Sequence, residues 1–258
     1  MILKLATIAA LLTSVVFAPF VFAADQSSPQ NTPVLVELFT SEGCSSCPPA
    51  DAYLRQLDEQ PIPGAQNIVL SEHVDYWDHL GWRDIYSSHE LTERQNAYAA
   101  HFGLSSSYTP QMVIDGAKEV VGSNTQAAQE IFVKSSKNPK LAIQILDAKV
   151  DPDGSVRARL EVPALQESSQ KADVYVALAL NRAVSQVKRG ENTGREISHV
   201  AVVRQLVRVG SVGKGGGFQK DIRLRIRETM QPGGLRLIAF VQSPGPGVVF
   251  GAASAPLK

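Results

Sequence analysis

The hydrophobic pattern changes character along the chain. Leu5 to Phe22 is an apolar run broken by Pro19. From residue 33 to about 139, short apolar blocks alternate with amphipathic segments. Pro33 to Thr40 (PVLVELFT) is bounded by Pro and by Ser-Glu-Gly, which predicts a buried strand. A helix is expected from Pro48 to about Glu59, because Pro is tolerated in a first turn and Ser45 and Ser46 are good caps. Ile68 to Val74 reads as a second strand. Ser87 to His101 reads as a second helix, opened by Ser87-x-x-Glu90 and closed by Gly103. Gln111 to Ile114 turns at Asp115-Gly116 into Glu119 to Gly122, a hairpin. Thr125 to Lys137 closes this half as a helix. Alternation of β and α with short connections predicts an α/β domain over 33–139.

Beyond residue 140 the period becomes that of strands. Leu141 to Val150 and Ser155 to Val162 flank the turn Asp151-Pro152-Asp153-Gly154. Asp173 to Leu180, Ala201 to Val209, Phe218 to Ile226, Leu235 to Gln242 and Val248 to Ala252 continue the pattern. Seven short strands with Gly/Pro turns predict an antiparallel β-sandwich-like domain over 140–258. Gly213 to Gly217 lacks the strand–loop–helix context of a phosphate loop and reads as a hairpin turn.

The start of the chain reads as an export signal over 1–23. Lys4 precedes the apolar run, and Val21-Phe22-Ala23 has small residues where signal peptidase reads. Residues 24–32 read as a loose mature terminus. A periplasmic or secreted location is expected, where disulfides persist. Once the signal is removed, no membrane association is expected.

Charge adds a division. The whole chain has 25 basic and 25 acidic residues, so nothing in the balance points to nucleic acid. Residues 24–139 carry 6 Lys/Arg against 15 Asp/Glu, and residues 140–258 carry 18 against 10. The halves are expected either to attract each other or to display solvated faces.

The chemistry concentrates on the two cysteines, Cys44 and Cys47. Their turn lies between a buried strand and a helix start, where free N–H groups and the helix dipole favour a thiolate. Cys44 is expected to be the more exposed and to attack, and Cys47 to resolve the mixed disulfide. The segment His73 to His89 holds both tryptophans, Trp77 and Trp82, with three aspartates. It reads as a substrate-facing loop or as a rigid loop held by buried aromatics. Glu42, His73 and Asp75 are candidates to support the dithiol. Cys44, Cys47, His73 and His79 are ligand types that zinc accepts, but their spacing fits no compact motif, so no metal is assigned. No cofactor is expected. Arg94 and Gln95 fall on the buried face marked by Leu91 and Tyr98, either snorkelling or entering a polar cavity. The polar stretch Arg189 to His199 reads either as an exposed, disordered tip or as a long loop that folds over Cys44, bringing Arg195 or His199 near the thiol.

The strand, the dithiol, the helix and then Tyr108-Thr109-Pro110-Gln111 resemble the thioredoxin superfamily. That resemblance implies a cis Pro110, with Thr109 and Pro110 binding an extended substrate chain beside the dithiol. Three runs are similar to a bacterial family labelled domain of unknown function 1223: Val36 to Asp51, His73 to Trp82, and Glu191-Asn192-x-Gly194-Arg195 with His199 and Val202-Val203-Arg204. The expected architecture is therefore a thioredoxin-like α/β domain followed by an antiparallel β-sandwich-like domain. The expected activity is thiol–disulfide exchange or redox sensing with a protein or peptide thiol/disulfide substrate. The other reading is a non-enzymatic secreted binding module with a structural disulfide. Ser-Ser between the cysteines, two prolines after Cys47 and the Trp-rich insertion depart from ordinary thioredoxins.

Overall fold

The computed structural model describes residues 31–60, 62–165, 171–226 and 234–257. The expected signal over 1–23 lies outside the described residues.

β1 (Thr32–Thr40) is nine residues of almost continuous burial, as a strand covered on both faces requires. It leads through the cysteine turn into α1 (Pro48–Glu59), then β2 (Ala65–His73), which pairs with β1 in parallel. α2 (His89–His101) precedes β3 (Gln111–Ile114) and β4 (Lys118–Val121), a hairpin whose first strand pairs antiparallel with β1. α3 (Thr125–Ser135) ends the first half. β5 (Gln144–Val150) to β11 (Val249–Pro256) make up the second, with β6 at Ser155–Val162, β7 at Ala172–Gln186, β8 at Glu196–Val212, β9 at Phe218–Arg225 and β10 at Leu235–Gln242.

The strands combine differently from the expectation. Eight form one mixed sheet in the order β11-β10-β7-β8-β2-β1-β3-β4, and β5-β6-β9 form a small second sheet. The expected thioredoxin-like α/β domain followed by a separate β-sandwich is therefore corrected. The fold is mostly β, with three helices among the described residues. The physical reason lies at β2, whose free edge is taken by β8 in parallel at Ser71–Val202. The sheet does not stop there but continues through β7, β10 and β11.

Alternation across β1 sorts the packing. Val34, Val36 and Leu38 meet α1 and α3 through Leu54, Leu57, Ala128 and Phe132. Leu35 faces the other way, with Leu70, Leu91 of α2, Ile238 and Phe240. In β10, Leu237, Ala239 and Val241 pack on Val156, Leu160 and Ile222 of the small sheet. One face of the large sheet is thus covered by α1 and α3 near β1 and by β5-β6-β9 near β10. α2 packs on the opposite face.

The charge asymmetry is used across the two halves. Arg236 on β10 makes a two-pronged pair with Asp58 on α1 at 2.5 and 3.0 Å. Arg182 meets Glu59 at 2.8 Å, and buried Lys140 meets Asp115 at 2.8 Å. No helix among the described residues is long and apolar enough to cross a membrane.

Candidate functional site

Cys44 and Cys47 are joined in a disulfide at the turn between β1 and α1. Cys47 itself is the N-cap residue of α1, and Pro48 and Pro49 follow at the first helical positions, where a missing N–H costs nothing. Ser45 and Ser46, expected to cap, are exposed at the turn's tip. The Ser46 hydroxyl lies 3.4 Å from Cys44 Sγ. Both cysteines are fully buried, which corrects the expectation that Cys44 stands exposed.

What buries them includes the β7–β8 connection, residues 187–195. Asn192, fully buried, donates from Nδ2 to the carbonyls of Glu42 and Cys44, at 2.9 Å each. Glu191 accepts a hydrogen bond from the Ser45 N–H at 3.2 Å, and hydrogen bonds from Ser45 hold its carboxyl below the usual carboxylate range. Gly190 packs against Trp82 with φ +78°, a site where a Cβ would sit 3.2 Å from the indole's own Cβ. The expected long loop is shorter than its sequence suggested, because β8 already begins at Glu196. Arg195 is exposed and is not brought to the cysteines, whereas His199 is buried inside β8.

Pro110 is cis after Thr109. Trp77 donates from its indole to Thr109 Oγ1 at 2.8 Å, and Gln95 donates to the Tyr108 carbonyl at 2.6 Å, so two side chains pin the loop entering β3. Gly122 lets this loop approach α1, since a Cβ there would meet Ala50 at 3.1 Å and Pro110 at 3.3 Å. Gly122 thus sits between Pro110 and the first turn of the helix that Cys47 caps.

Beneath the turn lies a cluster of buried ionisable groups. Trp82 donates to Glu42 Oε2 at 2.6 Å, and the Glu42 N–H donates to Asp84 Oδ2 at 2.9 Å. Burial, reinforced by the Asp84 charge, pushes the Glu42 carboxyl up. Asp84 Oδ2 also meets His73 Nδ1 at 2.7 Å, with both side chains fully buried. Burial opposes ionisation of Asp84, but His73 and the N–H groups of Glu42 and Tyr86 outweigh it and hold the carboxyl at about 2. Burial likewise opposes the imidazolium of His73, but Asp84, then Asp51 and Glu42, raise it above its ordinary value. The rings of His73 and His199 meet edge-on at 4.6 Å, and His199 Nδ1 lies 3.5 Å from Asp51 Oδ1 on α1. Thr40 donates to the same Asp51 oxygen at 2.9 Å.

Asp51 and Asp84 are site residues that sequence reasoning did not single out, whereas Asn192 stood in the run Glu191-Asn192-x-Gly194-Arg195 of the expected loop. Asp51 had a signal: it follows Cys47 by four residues, one helical turn. Asp84 had none, since its partners lie 11 and 42 residues away.

Other candidates lie elsewhere. Asp75 accepts from Thr92 at 2.6 Å and fixes the start of α2. His79 is exposed. Arg94 neither snorkels nor meets the dithiol. Its side chain is 9% exposed, and the guanidinium reaches Glu37 at 2.7 Å, Glu72 at 3.6 Å and Gln242 at 3.0 Å on the α2 side of the sheet. Burial, with Glu37 close by, pushes Glu72 well above the carboxylate range.

A crystal structure of a protein from Agrobacterium tumefaciens is 28% identical, with a TM-score of 0.67, covering 86% of this chain and 93% of that one. HBP35 of Porphyromonas gingivalis is similar in fold, with a TM-score of 0.65 at 12% identity, covering 88% of this chain and 76% of that one. No curated protein matches the chain. The three sequence runs around Cys44, Trp77 and Asn192, separated in the chain, converge on this one site, and the model of one family spans all of them. By that match, over residues 35–242, the chain belongs to the family described as Protein of unknown function (DUF1223).

Proposed function

We propose that Cys44 and Cys47 are redox-active and that the protein exchanges disulfides with thiols of proteins or peptides outside the reducing cytosol. The observation that carries this reading is the span of the bond. It joins residues three apart. A ring that small restrains the unfolded chain by only about 2 kcal/mol, so it adds little as a staple. Its sulfurs instead sit at the start of a helix, where a thiolate is favoured. Buried ionisable groups with displaced pKa values gather beneath it, as they do at sites of chemistry. In the exchange, a substrate thiolate attacks Cys44 and Cys47 leaves when the protein oxidises its partner, and the steps run in reverse when it reduces one. Thr109 and Pro110, with Trp77 beside them and Trp82 at the Glu42 side of the turn, supply the surface for the partner chain. The apolar run over residues 5–22 supports export.

A second reading has its own support. Both cysteines are fully buried, as in a structural disulfide of a binding module. Redox titration of the folded protein separates the two. Reversible reduction well above about −300 mV supports exchange, and reduction only below that value supports the structural bond. A Cys47→Ser variant should then trap mixed disulfides through Cys44. If it captures no thiol partner, the exchange reading is refuted.

A further inference from the structure

The exchange reading leaves one group of residues without a task. Asp51, His73 and His199 are each at most 3% exposed. Four of their side-chain atoms take no hydrogen bond from any described protein group: Asp51 Oδ2, His73 Nε2 and both ring nitrogens of His199. Buried polar atoms are normally paired, because leaving one unmade costs about 1–3 kcal/mol. A cluster retained for stability alone would not leave four of them unpaired in one place.

The geometry gives the cluster a direction. The Asp51 N–H donates to the Cys47 carbonyl at 3.1 Å in the first turn of α1. Asp51 therefore lies on the same helix face as Cys47, with its side chain tilted back towards the N-terminus. Thr40 occupies Oδ1 and leaves Oδ2 free. His199 stands behind Asp51 at 3.5 Å, and His73 stands behind His199.

We propose that His199, delivered by β8, acts through Asp51 to supply the proton that Cys47 takes up when the disulfide is reduced, with His73 replenishing it. This rests on the exchange reading. With a dithiol reductant the balance is as follows. One reductant thiolate attacks Cys44 Sγ, the Cys44–Cys47 bond breaks, and its electron pair leaves on Cys47 Sγ. That sulfur takes up a proton that His199 delivers through the Asp51 carboxylate. The second reductant thiol gives its proton to solvent and attacks the mixed disulfide, releasing Cys44 as a thiolate that takes up a proton from solvent. The reductant ends as a cyclic disulfide and the protein as a dithiol. A bare Cys47 thiolate would otherwise be buried above carboxylates, an arrangement that low polarity penalises.

The groups facing the relay are Asp51 and Arg55 from α1, His73 from β2, Glu42 from the cysteine turn, and Asp84 and Tyr86 from the loop after β2. Arg55 donates to the Ser198 carbonyl at 3.2 Å, beside His199. The assignment also gives the sheet extension a purpose: the parallel contact of β8 with β2 carries His199 to the cysteine turn.

The test follows disulfide reduction of the full chain by dithiothreitol from about pH 5 to about pH 9, with rates expressed per reductant thiolate. The wild-type rate should fall as pH rises and should be slower in D2O. His199→Gln should lower the rate at low pH about a hundredfold and flatten the profile. Asp51→Asn should do the same, and serves if the histidine variant does not fold. Folded variants that keep the wild-type profile overturn the relay while exchange stands. So does a wild-type rate unchanged in D2O. A wild-type disulfide that dithiothreitol reduces only upon global unfolding overturns the exchange reading, and the relay with it.

Discussion

Replacing Asn192 by Ala should uncouple the β7–β8 loop from the cysteine turn. The magnitude follows from three atoms. Nδ2 makes two buried hydrogen bonds, to the Glu42 and Cys44 carbonyls. Losing them costs about 1–1.5 kcal/mol each. Oδ1 is buried without a partner, so deleting the amide also removes an unmet acceptor, returning about 1 kcal/mol. The net is about 1.5 kcal/mol, taken from the closed loop but not from an open one. Since both cysteines are inaccessible when the loop is closed, attack requires opening, and the variant should be reduced about tenfold faster. Quenched alkylation after timed exposure to dithiothreitol reads this directly, with thermal melting run in parallel. Arg195→Ala, an exposed position in the same loop, should change the rate by less than about twofold. If Asn192→Ala lowers the melting temperature yet leaves the reduction rate at the wild-type value, the loop does not gate the disulfide and the reasoning fails.

Three further outcomes follow from the buried charges. Glu72 has its carboxyl raised well above 4.5, so the native state holds that proton more tightly than the unfolded chain. Its contribution to stability is complete below 4.5 and is lost as pH rises towards the folded value. Glu72→Gln should flatten that slope in melts from about pH 4 to about pH 8, and an unchanged slope would refute it. For the Asp84–His73 pair the signs oppose. The Asp84 contribution is present above 3.8 and lost as pH falls towards about 2, whereas that of His73 is present below 6.5 and lost as pH climbs past its raised value. Asp84→Asn should therefore cost about 3–5 kcal/mol in urea unfolding at a pH between those limits, and a loss under about 1 kcal/mol would contradict a buried ion pair. Arg236→Ala and Asp58→Ala should each destabilise, and their double-mutant cycle should show about 1 kcal/mol of coupling, so strict additivity would count against the pair.

How far the sequence could be read depended on how local the cause was. β1, α1 and the β3–β4 hairpin are each specified by neighbours within a few residues: the apolar run to Thr40, the two prolines after Cys47, and Asp115-Gly116 with positive φ at both positions. Even there, assignment by residue preference slipped by one or two positions. Ser88 rather than Ser87 caps α2, because the Ser87 hydroxyl is spent on Asp78. Arg94 was ambiguous for a similar reason. Its place on an apolar helix face is explained only by Glu37 and Glu72 on the strands opposite, which no helical periodicity can reveal.

The join between the halves was hidden for a different physical reason. A strand buried on both faces reads the same whether it lies at a sheet's edge or at its centre, so the run of β2 could not say that β8 would add to it. The signs of that join are polar and long-range. They are His199 placed behind Asp51, Asn192 reaching the Cys44 carbonyl, and Arg236 gripping Asp58, with sequence separations of 148 and 178 residues for the last two. Each is a residue that a free-standing sandwich would have no reason to bury or to aim outward. The excess of acid before residue 139 and of base after it was the trace of these contacts visible in composition. The second half therefore completes the cysteine site, contributing the loop that covers the disulfide and the histidine beneath it. Cutting the chain between the halves should remove both the cover and the buried cluster at once.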